Sequence, residues 1–300
     1  MSAKPTLKQL TYLCAVARTM HFGRAATACH VTQSTLSAGI LELEQILGTA
    51  LLERNNKQVL LTDVGKTIVS RSHHILLEVD ELVAIAAATG APLSGKLSLG
   101  VIPTIAPFVL PKLLASLRKD FPKLQMLIRE DLSDHIVTLL NEGELDIILL
   151  ALPYPMDNVT TRHLFYDPFV LAYPKGHPLS HNHPLKTRDL RNQDLLLLED
   201  GHCLRDHALE ACKLKESQFS QPYTATSLHT IVQMVANGIG VTLLPEMSLK
   251  SGILSGTNIK TETFAEKNVW RSIGLAWRKN SPRAEEFNLL ADYIIQHHTE

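Results

Sequence analysis

The stretch "HFGRAATACHVTQSTLSAGILELEQILG", residues 21–48, carries two helical patterns separated by a short polar turn. The second pattern follows Thr32, a residue type that caps helix N-termini, and stops at Gly48, which favours a left-handed helix end. Between them, apolar residues recur every three or four positions, at Leu36, Ile40, Leu43 and Leu47. This arrangement predicts a helix-turn-helix, in which the second helix enters the major groove of DNA.

The flanking segments complete a small domain around this unit. A helical pattern covers residues 7–20, and "ALLERNNKQVLLT", residues 50–62, predicts two short strands that turn around Asn55 and Asn56. Residues 1–61 are therefore predicted to form a winged helix-turn-helix domain dominated by α-helix.

A longer helical pattern follows, from about Thr62 to Thr89, and a break at Pro92 ends it. Ile68, Ile75 and Leu82 recur near the seven-residue period with which two helices pair along a seam. The segment 62–91 is therefore predicted to be a linker and dimerisation helix.

From residue 92 to residue 300, strand and helix patterns alternate. Alternation of this kind predicts an α/β domain with a largely parallel sheet that helices cover on both faces.

Composition narrows the function classes. The chain has 300 residues, 45% of them hydrophobic and 20% charged, with a net charge of −1. Residues 1–66 carry seven cations and four anions, a net charge of +3, which leaves −4 for the remainder. A basic head on an acidic body suits a protein that binds nucleic acid through its head.

Other compositional features favour a protein of the cytoplasm. No run approaches the roughly 18 apolar residues that a membrane span needs, and the first apolar patch lacks the cleavage site of a signal peptide. Four cysteines in a chain of this length then indicate a reducing cytoplasm. No cofactor and no membrane partner are predicted.

Polar and basic side chains of the head are the candidate DNA contacts. Those predicted to meet base edges in the major groove are Thr32, Gln33, Ser34, Thr35 and Ser37. Arg54 and Lys57 on the wing are predicted to contact phosphates or the neighbouring minor groove. The alternative is that the hydroxyls only cap the helix and that the wing cations are only solvated.

The head resembles the LysR-type transcriptional regulators. The matching motifs are "HFGRAA" (21–26), "VTQSTLS" (31–37), "LELEQILG" (41–48), "LLER" (51–54) and "LTDVG" (61–65). Departures are Ser34, where the family usually has proline, and Gly39, Leu41 and Glu42, where basic or amide side chains are common.

The resemblance implies a homodimer through the long helix, a homotetramer built as a dimer of dimers on promoter DNA, and contact with RNA polymerase. It also implies a two-lobed, periplasmic-binding-protein-like regulatory domain. Lobe I would span about 92–165 and 268–300, and lobe II about 166–267.

The body holds a second informative stretch, "LLLLEDGHCLRDHALEACKL", residues 195–214. Cys203 follows a turn at residues 200–201 and is predicted to lie in the first turn of a helix, where the helix dipole favours the thiolate. Arg205 or Arg271 nearby would favour the thiolate further. Cys14 and Cys29, on apolar helix faces, are predicted to serve packing alone.

The pair formed by Cys203 and Cys212 leaves several interpretations open. A metal site that includes His202 and His207 has suitable ligand types, but its spacing matches no common zinc pattern. A thiol enzyme such as a peroxidase would need no DNA-binding head, and we predict no enzyme activity. Nine residues of helix span about 13.5 Å and 2.5 turns, whereas a disulfide needs Cα atoms within about 7 Å. A helix between these thiols would therefore have to unwind before they could bond.

The body also resembles the OxyR branch of that family, the hydrogen-peroxide sensors. The matching segments are "PFVLPKLLASLRKDFPKL", "LLLLEDGHCLRDHALEAC", "ATSLHTIVQMVANGIGVTLLP" and "WRSIGLAWRKNSP". The resemblance implies that Cys203 reacts with peroxide and that Cys212 resolves it into a reversible intramolecular disulfide. It further implies that the thiol is surrounded by Thr104, Ser133, His202, Arg205, Asp206 and Arg271.

The function implied is a DNA-binding regulator of oxidative-stress genes, an activator that hydrogen peroxide switches on and a cytoplasmic thiol reductant resets. The alternative is a LysR-type regulator that responds to a small organic effector, with both cysteines as bystanders.

Overall fold

The computed structural model describes residues 4–55, 58–87, 92–181, 184–215 and 224–298. Two compact units make up the chain, Met1–Thr89 and Gly90–Glu300.

The first unit has three helices, a two-stranded wing and a long helix. Its elements are α1 (Leu7–Thr19), α2 (Phe22–Ala28), α3 (Gln33–Leu47), β1 (Leu52–Asn55), β2 (Gln58–Leu61) and α4 (Asp63–Ala87). The predicted winged helix-turn-helix fold and the long helix after it are confirmed.

Helix α3 begins and ends where the sequence predicts. The Thr32 hydroxyl accepts a hydrogen bond from the backbone N–H of Thr35 at 3.2 Å, and Gly48 ends the helix with a φ of +66°. The predicted apolar stripe faces inward, since Leu36, Ile40 and Leu43 are fully buried. Burial of this stripe holds α3 against α1 and α2 and leaves its opposite face exposed.

Two glycines of the first unit allow close contacts. A Cβ on Gly65 would lie 2.0 Å from the Leu51 carbonyl oxygen, so only glycine fits where α4 begins beside the wing. A Cβ on Gly39 would lie 2.9 Å from Cδ2 of the buried Tyr12 ring. This contact explains the departure at Gly39, because a longer side chain there would displace Tyr12.

The wing is an antiparallel pair in which Leu52 lies opposite Leu61 and Asn55 lies opposite Gln58. Asn55, predicted to lie in the turn, is the last residue of β1. Asn56 and Lys57 lie outside the described residues.

The second unit alternates strands and helices. Its elements are β3 (Gly95–Val101), α5 (Ala106–Asp120), β4 (Leu124–Glu130), α6 (Ser133–Asn141), β5 (Ile147–Leu152), β6 (Val159–Pro174), β7 (Leu195–Leu198), α7 (Cys203–Ala211), β8 (Thr224–Ala225), α8 (Leu228–Ala236), β9 (Val241–Pro245), α9 (Glu246–Lys250), β10 (Ile259–Thr263), β11 (Trp270–Arg278) and α10 (Ala284–His298). Short 3₁₀ turns cover Pro178–His181 and Thr187–Leu190.

The sheet of this unit is mixed, and the prediction of a largely parallel sheet is wrong. The strands follow the order β4-β3-β5-β11-β6-β9-β7-β8, with β10 paired to β6. Strand β3 is parallel to β4 and β5, and β7 is parallel to β8 and β9. Strands β6 and β11 are antiparallel to each other and to the strands beside them. These two strands lie in the middle of the strand order and join the two halves of the sheet.

The first half of strand β6 has a weak strand pattern. The strand has sixteen residues and begins at Val159, and this half holds a polar run at residues 160–163 and an Asp-Pro pair at residues 167–168. It forms a strand because β11 pairs with it along nearly its whole length.

Two hydrophobic cores define two lobes. One core centres on Trp277 and Phe287 and draws on β3, β5, β11 and α10. The other centres on Phe169 and draws on β6, β7, β9 and α8. The cores divide α7 between them, because Cys203 packs in the first core and Cys212 packs in the second. Among the described residues, no helix is long and apolar enough to cross a membrane.

Candidate functional site

Helix α7 starts at Cys203 for local reasons. Gly201 adopts a φ of +94°, and His202 is extended and serves as the N-cap residue. Cys203 therefore occupies the first helical position, where the backbone N–H groups of the helix end favour negative charge. Its side chain is only 4% exposed.

Three polar side chains from three different elements surround the Cys203 thiol. They are His207 one turn along α7, Ser133 at the start of α6 and Arg271 on β11. Burial raises the pKa of the thiol. The polar side chains of His207 and Ser133, with the positive charges of His207 and Arg271, lower it more, so the pKa of Cys203 lies below its ordinary value.

Arg271 is held rigidly behind the thiol. Its Nε donates to Asp167 Oδ2 at 2.9 Å, its Nη1 donates to Thr104 Oγ1 at 2.9 Å, and its Nη2 donates to the Thr104 carbonyl at 2.9 Å. Asp167 is also an acceptor for the backbone N–H of Met247 at 3.1 Å. This buried ion pair fixes the guanidinium, because each charge would be costly alone in the core.

The two ring nitrogens of His207 differ: Nε2 makes a hydrogen bond, and Nδ1 makes none to the described residues. Its Nε2 lies 3.0 Å from the Pro153 carbonyl oxygen, which can only accept, so Nε2 carries the proton. Its Nδ1 is buried, and so is the Ser133 hydroxyl; among the described residues, neither has a hydrogen-bond partner. Burial lowers the pKa of His207, but interaction with Cys203 raises it to a net value above the ordinary one.

A small recess lies in front of the thiol. It has about 150 Å³ of empty space and is too narrow for a water-sized sphere. Its lining residues are Ile102, Pro103, Thr104, Leu132, Ser133, Gly201, His202 and Cys203.

The other end of α7 is apolar. Cys212 is the C-cap residue, is 2% exposed and packs in the second core. Burial, with a smaller contribution from the negative charge of Glu266, raises the pKa of this thiol to about 12. No disulfide joins it to Cys203.

The remaining predicted site residues lie around this centre. His202 is a buried N-cap residue, and burial keeps its pKa below the ordinary value despite the nearby Glu199 carboxylate. Arg205 donates to the Leu198 carbonyl at 3.2 Å and lies 3.5 Å from Asp200, so Arg271 rather than Arg205 provides the positive charge at the thiol. Asp206 is exposed on the first turn of α7.

Two residues of the site were missed from the sequence. His207 was considered only as a metal ligand, although its position four residues after Cys203 places both on one helix face. Asp167 gives no local signal, since only the pairing of β6 with β11 brings it to Arg271. Within the described parts of the chain, no cluster of three or more His, Cys, Asp or Glu side chains could hold a metal ion.

The candidate DNA contacts share one end of α3. Thr32, Gln33, Ser34 and Thr35 are exposed, and Ser37 is half-buried. Some of these hydroxyls hydrogen-bond to one another, because the Thr32 hydroxyl also lies 2.9 Å from Ser34 Oγ and 2.8 Å from Thr35 Oγ1. The Arg54 side chain and all of Lys57 lie outside what the structure describes.

Family comparisons agree with both units. Residues 7–66 match the bacterial regulatory helix-turn-helix of the lysR family, and residues 90–299 match the LysR substrate binding domain. The chain therefore belongs to the LysR family of bacterial transcriptional regulators.

Relatives place the chain near the OxyR branch, as predicted. It is 40% identical to the HTH-type transcriptional regulator EstR of Acinetobacter baylyi over 98% of this chain and 97% of that protein. It is also 40% identical to a probable hydrogen peroxide-inducible genes activator of Streptomyces viridosporus, over 96% and 93% of the two chains. The structure of a full-length OxyR variant from Pseudomonas aeruginosa superimposes with a TM-score of 0.81 at 35% identity, over 97% and 95% of the chains.

Proposed function

We propose that this protein is a hydrogen-peroxide-responsive transcriptional activator, switched by a reversible disulfide between Cys203 and Cys212. One observation carries the proposal: a buried thiol at a helix N-terminus has its pKa lowered by His207, Ser133 and Arg271, nine residues before a second buried thiol. The peroxide-inducible activator and the OxyR structure among the relatives support the same assignment.

The proposed chemistry has two steps. The Cys203 thiolate attacks one oxygen of hydrogen peroxide, so that an S–O bond forms, the O–O bond breaks and the other oxygen leaves as hydroxide and becomes water. Cys212 then attacks the sulfur of the sulfenic acid, and a second water leaves as the disulfide forms. Hydrogen peroxide takes up both electrons, and a thiol reductant returns them when the switch resets.

Helix α7 provides the conformational part of the switch. Its nine residues from Cys203 to Ala211 put about 13.5 Å of helix axis between the two thiols, and a disulfide requires Cα atoms within about 7 Å. At least one thiol must leave its hydrophobic core for the bond to form. Oxidation therefore unwinds α7 and changes the surface that the regulatory unit presents to neighbouring subunits.

The other site residues support the thiol. Thr104 lines the recess and is held there by the Arg271 guanidinium, and Ser133 would donate a hydrogen bond to the thiolate or to peroxide. His202 starts the helix. Arg205 stabilises the turn before α7 through Leu198 and Asp200, and the carboxylate of Asp206 adds negative charge to the helix N-terminus.

The first unit is proposed to bind promoter DNA. Gln33 and its hydroxyl neighbours on α3 would meet base edges, whereas Arg54 and Lys57 would meet phosphates. Helix α4 leaves Ile75 and Leu82 exposed, at 46% and 66%, which suits pairing with a second copy in a homodimer. Two dimers would form a homotetramer on DNA, where the oxidised form would contact RNA polymerase.

In this proposal the protein is not an enzyme, because peroxide serves as its signal and not as a substrate that it turns over.

A second candidate function is regulation by a small organic effector. The relative EstR is as similar to this chain as the peroxide activator, and the second unit has an open recess flanked by His163, Tyr166 and Trp270. In that case the cysteines would be bystanders. The two candidates differ in whether transcription still responds to peroxide when Cys203 is replaced.

Mass spectrometry of the intact protein tests the proposed switch. Stoichiometric peroxide should remove two hydrogens, and the peptide map should join Cys203 to Cys212 within one chain. Dithiothreitol should restore both thiols. Retention of both thiols after peroxide treatment would overturn the proposal.

Footprinting on a selected operator tests the DNA contacts. The substitution Gln33→Ala should relax sequence preference, because it removes a base-edge donor and acceptor. In contrast, Arg54→Ala should weaken binding to all sequences alike, because phosphates carry no sequence. An unchanged preference in Gln33→Ala would show that α3 does not present Gln33 to bases.

A further inference from the structure

We propose that His207 is the proton acceptor and donor for the reaction of Cys203 with peroxide. The inference rests on the proposed function and adds a residue whose role the two-step disulfide chemistry leaves unassigned.

Geometry assigns His207 this role. It lies four residues after Cys203 on α7, so both side chains occupy the same helix face one turn apart. The Pro153 carbonyl accepts the Nε2 proton at 3.0 Å, which fixes the ring tautomer and leaves Nδ1 with a lone pair. That Nδ1 is buried, and it has no hydrogen-bond partner in the described structure. The Cys203 thiol lies one turn away on the same helix face and raises the pKa of His207.

The other titratable and charged groups at this site cannot serve as the base. Arg271 is always charged and already bonds to Asp167 and Thr104. The Tyr154 hydroxyl, close enough for Cys203 to affect it, donates to Asp134, and burial raises its pKa far above neutral.

The remaining groups at this end of α7 are His202 and Asp206. His202 is the N-cap residue, Asp206 is exposed, and neither is among the groups that lower the pKa of Cys203. His207 combines burial, an available lone pair and a position one turn from the sulfur on the same helix face.

The step balances in protons and electrons. Nδ1 of neutral His207 takes the Cys203 proton, which gives an imidazolium and a thiolate. The thiolate forms the S–O bond as the O–O bond breaks, and the departing hydroxide takes the Nδ1 proton to become water. His207 returns to its neutral form, Cys203 becomes a sulfenic acid, and hydrogen peroxide is the oxidant.

The electrostatics of the pair agree with this exchange. Interaction between the two groups lowers the pKa of Cys203 and raises the pKa of His207. Both shifts favour the charged pair of thiolate and imidazolium, and they move the pKa of Cys203 below the usual range of a free thiol. Loss of His207 should return the Cys203 pKa towards or above that range, since burial alone raises it.

Titration of the thiolate tests the pair without peroxide. The thiolate ultraviolet absorbance of the full-length protein would be followed against pH, and the curve of Cys203→Ser subtracted to isolate Cys203. His207→Gln keeps an amide donor for Pro153 but cannot accept a proton, so its Cys203 should titrate at higher pH than in wild type. A superimposable curve would overturn the role of His207. His229→Gln, at an exposed histidine on α8, is the matched control and should leave the curve unchanged.

Single-turnover oxidation tests the proton transfer itself. In a Cys212→Ala background the reaction stops at the sulfenic acid, so its rate reports the first step alone. His207→Gln should slow it by about 100-fold at neutral pH, within the range of general acid–base catalysis. The variant rate should also rise with pH where the parent rate is flat. A rate within twofold of the parent at every pH would overturn the proposal.

The two tests separate this inference from the proposed function. If wild-type Cys203 does not react with peroxide, the proposed function fails and the catalytic role of His207 fails with it, whereas the titration still reports whether the pair exists. If Cys203 reacts but both His207→Gln measurements match the parent, only the role of His207 fails.

Discussion

The two ends of helix α7 hold the same residue type in opposite surroundings. Cys203 and Cys212 are both almost fully buried, at 4% and 2% exposed. The pKa of Cys203 is nonetheless lowered, whereas that of Cys212 is raised to about 12. Burial is common to both thiols, so the difference comes from His207, Ser133 and Arg271 at one end and from their absence at the other. The contrast shows that hydrogen-bond donors and charge, more than exposure, set the reactivity of a cysteine.

This contrast also orders the chemistry. The thiol with the lowered pKa faces a small recess that includes the Thr104 and Ser133 hydroxyls, and the thiol with the raised pKa packs in an apolar core away from it. Cys203 should therefore react with the oxidant first, and Cys212 should act only after α7 opens and releases it from the core.

The largest effect is expected when Cys203, at the reactive end of α7, is replaced. Cys203→Ser should abolish both disulfide formation and the transcriptional response to peroxide, because serine forms no comparable nucleophile at neutral pH. DNA binding should persist, since Cys203 belongs to the regulatory unit. Cys29→Ser, at a half-buried cysteine in the first unit, is the control and should respond as wild type does. A normal peroxide response in Cys203→Ser would favour the organic-effector function.

The next largest effect is expected when Cys212, at the other end of α7, is replaced. Cys212→Ala should oxidise at Cys203 at a rate within about twofold of wild type, because ionisation at Cys203 does not depend on Cys212. The sulfenic acid should accumulate as a dimedone adduct in place of an intramolecular disulfide. Alanine is preferred to serine here because it leaves no buried hydroxyl without a partner. A disulfide from Cys203 to another cysteine of the same chain would contradict the assignment.

A smaller effect is expected when one donor is removed from the reactive end. Ser133→Ala should slow Cys203 oxidation about tenfold at neutral pH, since a hydrogen bond to a charged group contributes about 1.5 kcal/mol or more. The rate of single-turnover oxidation measures this change. Ser116→Ala, which removes a hydroxyl on α5 that bonds to its own helix at Lys112, is the matched control. Equal rates in the two variants would show that Ser133 does not act on the thiolate.

The smallest effect is expected at the unreactive end as pH rises. With its pKa raised to about 12, Cys212 stays protonated through pH 9, so folded protein should show almost no alkylation there. Unfolding in guanidinium should return its pKa to about 8.5 and make it reactive. Mass spectrometry of Cys203→Ser protein isolates this thiol. Rapid alkylation in the folded state would remove the contrast between the two ends.

Local sequence signals predicted much of this site. The turn before α7 and the place of Cys203 in its first turn follow from neighbouring residues. Helix geometry also explains why Arg205 does not face the Cys203 thiol. A residue two positions after Cys203 on a helix points away from it, and Arg205 instead contacts the Leu198 carbonyl and Asp200.

The parts that sequence analysis missed depend on contacts between distant segments. Asp167 reaches Arg271 only because β6 and β11 pair, and Pro153 fixes His207 only because β5 ends beside α7. The mixed sheet was missed for the same reason: the first half of β6 has no strong strand pattern and becomes a strand by pairing with β11. Resemblance to relatives supplied Ser133 and Arg271, which no local pattern would have placed together.

The division of α7 between two hydrophobic cores has a consequence for the reduction potential of the switch. Because each sulfur is packed in a different core, the bridged form must give up apolar contacts that the dithiol form keeps. Every 1.4 kcal/mol lost in this way raises the potential of the couple by about 30 mV. In the proposed switch, the fold would thus bias the couple towards its dithiol state, so that the oxidised form would return to it once the oxidant is gone.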